Sequence, residues 1–144
     1  MTVLSILLAL HLLGAAAWVG GMAFALLVLR PALGVLDPPQ RLALHGAVFP
    51  RFFRLIWHAM PLVLLTGYAM LFGLLGGFAH VNWAVHVMHL LGLLMTAIFL
   101  IAVFGPGRAM RRAPSPELVD RIRRLVQVNL LLGTLTLIVA AFAG

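Results

Sequence analysis

Four apolar runs dominate this 144-residue chain. Each matches or exceeds the roughly 20 residues a helix needs to cross a bilayer. They fall at about 3–29, 52–75, 81–104 and 116–142, bounded by Arg30-Pro31, Gly76-Gly77, Gly105-Pro106 and the Ser115-Pro116-Glu117 start signal. Hydrophobic residues make up 64% and charged residues 9%, against about a quarter charged in a soluble domain. The expected fold is therefore all-α: an integral membrane four-helix bundle, with residues 1–144 forming one transmembrane domain. The first run lacks a basic leader segment and continues past Ala15-Ala16-Ala17 to Leu29, so it is expected to stay as a helix rather than be cleaved as a signal peptide.

All ten basic residues are arginines, against three acids. Arg30, Arg41, Arg51 and Arg54 lie between and beside the first two runs. Arg108, Arg111, Arg112, Arg121, Arg123 and Arg124 surround the start of the fourth. The opposite ends carry no arginine or lysine. The positive-inside bias then places both termini and the 76–82 turn outside, on the periplasmic side of a bacterial inner membrane. Arginines set in two loops beside apolar spans point to membrane topology and lipid contact, not nucleic acid. Asp37-Pro38-Pro39 opens a segment to about 49 that is expected to lie as an interfacial helix.

Cysteine is absent, which excludes disulfides, iron–sulfur clusters, covalent c-type haem and thiolate copper sites. Histidine is the remaining candidate. Four of the six histidines, His11, His58, His86 and His89, fall inside spanning runs, where an ionisable side chain is costly and marks function by default. The expected topology puts His11 about 13 Å, His86 about 8 Å and His89 about 12 Å below the outer surface. His11 and His89 thus share a depth, and His86 lies one turn from His89. His58 belongs to the inner half, on a stripe with Arg51 and Arg54, with Pro61 three residues on. Asn129, Gly133 and Thr136 form a polar and small stripe expected to face the bundle interior. His45 and His80 read as loop residues in solvent, and the internal methionines read first as packing.

Two cofactors suit these residues. Haem b takes axial imidazoles from facing helices, which would pair His11 with His89 or His86. The arginine support that propionates favour lies only beside His58, at Arg51 and Arg54. Copper takes imidazole and thioether ligands, and His11, His86 and His89 with nearby methionines supply both. A bundle without cofactor, its histidines bonding neighbouring helices, is the third possibility. Asp37, Glu117 and Asp120 all lie in or beside loops, which argues against a carboxylate relay through the membrane, and no phosphate-cradling loop is present, which leaves little room for other enzyme classes.

Several segments resemble a known family. Leu10-His11-Leu12-Leu13, Trp18-Val19-Gly20-Gly21-Met22 and Leu29-Arg30-Pro31 resemble the small CopD-like membrane proteins of bacteria. So do Arg51-Phe52-Phe53-Arg54, Thr66-Gly67-Tyr68, and Arg121, Arg123 and Arg124 ahead of Asn129-Leu130-Leu131-Leu132-Gly133. That resemblance implies copper resistance or uptake. The start of the chain is also similar to the HemJ group, which binds haem b and oxidises protoporphyrinogen; there a first-helix histidine, matching His11, ligates the haem. Two features depart from that group. Gly20-Gly21-Met22-Ala23-Phe24 replaces its Gly-Leu-x-Tyr-Leu-Pro-Arg type segment, and its His-x-Lys element is missing from a chain without lysine. The resemblance therefore implies haem binding rather than protoporphyrinogen oxidation.

The leading expectation is a haem b protein with His11 and His89 or His86 as ligands, exchanging electrons with a membrane-soluble partner such as a quinol. The alternative is copper binding or transport through His11, His86 and His89. A complete copper conduit in so small a chain would call for a homo-oligomer.

Overall fold

The computed structural model describes residues 2–143. Four helical segments are long and apolar enough to cross a membrane: α1 (Val3–Val35), α2 (Pro38–Gly73), α3 (Trp83–Arg112) and α4 (Pro116–Ala140). No strand occurs among the described residues. The all-helical, four-helix expectation holds.

Three boundaries differ from the sequence reading. Arg30-Pro31 does not end α1. A π-helical turn, Ala25–Leu29, precedes it, and Pro31 falls in the first turn of the next short helical piece, where its missing N–H costs nothing. The chain turns only after Val35, where Leu36 becomes extended (φ −100°, ψ 149°). No separate interfacial helix forms at 38–49. Those residues are the first turns of a continuous 36-residue α2 with Pro50 and Pro61 inside it. Packing in a membrane bundle tolerates such prolines. At 1.5 Å per residue α2 is about 54 Å long, against about 30 Å of hydrocarbon. Gly105-Pro106 is likewise a break rather than an end: Gly105 leaves helical geometry (φ −89°, ψ −105°), and α3 resumes to Arg112.

The remaining ends follow local chemistry. The Ser115 hydroxyl accepts from Leu118 N at 3.3 Å and caps α4, as its sequence predicts. Asn82 does two jobs: its Oδ1 accepts from Ala84 N at 3.0 Å, and its Nδ2 donates to Phe142 O at 2.9 Å, tying the start of α3 to the end of α4. Gly76 and Gly77 both take positive φ (78° and 87°), which lets the α2–α3 turn reverse tightly.

The helices run antiparallel along two main seams, α1 against α2 and α3 against α4, and α1 also touches α4. Glycines set the close approaches. Gly14 meets Val63 and the Ala59 carbonyl, and Gly133 meets Val19 and Met95. A Cβ at Gly73 would meet nothing within 4 Å. Trp18, Met22, Ile56, Met60, Met95, Phe99, Met110, Ile122 and Val126 fill the centre. Large apolar side chains such as Leu13, Leu27, Leu65 and Leu131 are exposed around the outside, as expected where lipid is the solvent. One end of the bundle carries all the arginines and acids. The other carries His80, His86 and His89 in or near the α2–α3 turn.

Candidate functional site

The histidine end is built by the α2–α3 hairpin. The short turn between these helices brings residues equidistant from it to one level. Tyr68 on α2 thus meets His89 on α3, their rings 5.3 Å apart and edge-to-face at 75°. Phe78, in the turn Phe78–His80, stacks on His86 at 5.5 Å and 23° and meets His89 at 5.0 Å and 68°. Phe72 packs against both Tyr68 and Phe78. Two imidazoles one helical turn apart are thereby held in an aromatic frame. The Tyr68 hydroxyl lies 3.5 Å from His89 Nε2, at the outer limit of a hydrogen bond, so that nitrogen stays weakly engaged. His80 is exposed, as expected, and its Nδ1 donates to Gly76 O at 2.9 Å.

His11 occupies a different place, the α1–α2 seam. Its Nδ1 lies 3.0 Å from Val63 O and 3.1 Å from Thr66 Oγ1. A carbonyl only accepts, so Nδ1 carries the proton and Nε2 keeps its lone pair. Thr66 in turn donates to Leu62 O at 2.6 Å. Gly67 gives the ring room: a Cβ there would stand 3.2 Å from His11 Cε1. This is the outer-shell arrangement that orients a ligating histidine, and it is equally a plain interhelical bond. No hydrogen bond or ring contact joins His11 to His86 or His89 among the described residues. The equal depth read from the sequence is not adjacency, because α1 and α3 are not principal neighbours.

The stripe of Arg51, Arg54 and His58 faces outward. All three are exposed, and the bonds they make return to their own helix: Arg51 Nη1 to Ala47 O at 2.7 Å, and His58 Nδ1 to Arg54 O at 2.7 Å. Arg54 also lines a cavity of about 270 Å³ beside Phe53, Trp57 and Arg111. His45 differs from the solvated loop residue expected: it sits on α2, half-buried and stacked on Phe49 at 5.1 Å.

The α4 stripe faces inward as the sequence predicts. Asn129 is 3% exposed, and its Nδ2 donates to Met95 O at 3.1 Å. Thr136 Oγ1 lies 3.9 Å from Met95 Sδ. The internal methionines, read from the sequence first as packing and second as copper ligands, include Met22, Met60, Met95 and Met110, which are all in the core. Tyr68 entered the sequence reading only within Thr66-Gly67-Tyr68, with no site role, and Phe78 not at all. The hairpin rule would have found Tyr68, since 68 and 89 lie equally far from the connecting turn.

In donor chemistry the histidine end is neutral. Asp37, Glu117 and Asp120 all belong to the arginine end, so imidazole and phenol are the side-chain donors gathered here, with the thioethers of Met22, Met60, Met95 and Met110 in the core beyond. Such donors suit copper, and the soft thioethers suit Cu(I), whereas hard divalent cations want carboxylate oxygen. Among the described residues no three His, Asp or Glu side chains assemble into a ready-made metal cage.

These features define a multi-pass membrane protein with imidazole donors and no acid at one end and fixed positive charge at the other. The chain matches the family described as copper resistance protein D, CopD, over residues 46–143, and belongs to that family. The matched stretch contains His58, His80, His86 and His89, and leaves His11 outside it. No curated protein and no solved structure matches the chain.

Proposed function

We propose that this CopD-family protein binds copper, as Cu(I), and passes it into or across a bacterial inner membrane. His86 and His89 receive the ion at the histidine end. The core thioethers Met95, Met22, Met60 and Met110 offer softer stations beyond, and His11 Nε2 adds an imidazole in the α1–α2 seam. Both termini and the 76–82 turn lie outside, so the histidine end is the receiving side. The observation that carries this reading is the pairing of family membership with two framed, acid-free imidazoles inside the matched segment.

A competition titration tests it. Purified protein competes with a chromogenic Cu(I) chelator under reducing conditions. Replacing both His86 and His89 by Ala should weaken binding by more than about tenfold, since even outer-shell changes at metal sites cost that much. The helical circular dichroism should be unchanged. Equal affinity of wild type and double variant would remove the histidine end from the proposal.

A haem b role is the second reading. It is favoured by one observation, the Nδ1-anchored His11 with its Nε2 lone pair left for a ligand bond. It would make the protein a redox partner of a membrane-soluble donor such as a quinol, and its signature is a Soret band that depends on His11.

A further inference from the structure

The arginine end contains a cavity that copper handling does not use. About 290 Å³ in volume, it lies between the end of α1, the first turns of α2 and the first turns of α4. Its polar lining is Arg30, Arg41, His45, Asp120 and Arg123, and apolar side chains including Leu26 and Phe52 form the rest of the wall.

Three guanidinium groups face one carboxylate here. Asp120 takes only Arg123, at 3.2 Å through Nη1. Arg123 Nε is buried and has no partner, and a buried charged donor left unpaired is expensive. Arg41 is held in place by its own bonds, Nε to Leu36 O at 2.7 Å and Nη2 to Gly34 O at 3.4 Å. The Arg30 side chain makes no hydrogen bond or ion pair among the described residues. His45 is stacked on Phe49 and adds no negative charge. The charge excess, the orphaned donor and the preset Arg41 call for an anion. Planar forks of this kind match phosphate oxygens.

We infer that this cavity binds a phosphate group, with Arg30, Arg41 and Arg123 as its ligands. The source is either an anionic phospholipid headgroup or free phosphate. The apolar wall fits the lipid source: the phosphate sits among the arginines and the glycerol and upper acyl chain lie against Leu26 and Phe52. Basic pockets between membrane helices hold anionic lipids in this way.

The test uses the full-length protein in detergent. Its melting midpoint is recorded with added phosphatidylglycerol, phosphatidylcholine or inorganic phosphate. Phosphatidylglycerol should raise the midpoint where phosphatidylcholine does not. A rise with inorganic phosphate alone would support the site with a soluble ligand. Arg30→Gln, which breaks no bond within the protein, and Arg41→Gln with Arg123→Gln should each need about tenfold more ligand for the same rise. Arg108→Gln and Arg124→Gln, which remove equal charge outside the cavity, should leave the response unchanged. No response to either phosphate source, or equal loss in the outside variants, would overturn the inference.

Discussion

At Asn129 one side chain crosses the bundle. Its amide donates to Met95 O, so Asn129→Ala should lower stability by about 1–2 kcal/mol, counting the bond and the lost packing. Reversible unfolding in mixed micelles measures this, and a change below a few tenths would mean the bond does not hold α3 to α4. This residue was legible in the sequence because Asn129, Gly133 and Thr136 recur at helical spacing in an apolar run. His11 was legible as unusual, but its partners were not: a histidine's depth follows from topology, whereas its neighbours follow from which helices share a seam. Arg51, Arg54 and His58 formed an equally clear stripe and face outward, because periodicity identifies a common face without saying which way it points. Phe78 carried no polar or periodic signal of its own, and Tyr68, though a phenol in an apolar run, gave no sign of its partner; their contacts with His89 became visible only through the hairpin geometry.

Among the elements, the glycines separate tight contacts from open ones. A Cβ at Gly107 would stand 2.7 Å from the Ala102 carbonyl and 2.8 Å from Phe53 Cε2, while one at Gly20 meets nothing. Gly107→Ala should therefore cost about 1–3 kcal/mol by overpacking. Gly20→Ala should be neutral or stabilising by up to about 1 kcal/mol, since alanine favours the helix. Thermal midpoints of the two variants check this, and equal midpoints would contradict the close approach of α2 to the α3 break. The four helices could be read from apolar length alone. Their ends could not be read at Pro31, Pro50 and Pro106, because a proline stops an isolated helix in water but not a helix whose freed groups and packing are supplied by its neighbours. Ser115 kept its predicted role because capping is local chemistry.

For the whole molecule, the separation of charge is the organising fact. Arginines gather at one end and the histidine cluster at the other, so under the proposed function orientation decides which side would receive copper. The absence of native cysteine gives a clean assay. Ala79→Cys, in the turn before α3, should react with a membrane-impermeant maleimide added to intact cells stripped of their outer membrane. Ala113→Cys, in the connection before α4, should react only after the inner membrane is opened. The reverse pattern would invert the proposed topology. The most direct test of the central claim is the metal and chromophore content of wild-type protein purified from cells supplied with both copper and haem. Copper bound in stoichiometric amount under reducing conditions, with a visible spectrum free of a Soret band, is the predicted result. Protein without copper but with a Soret band and sharp reduced α and β bands would contradict it.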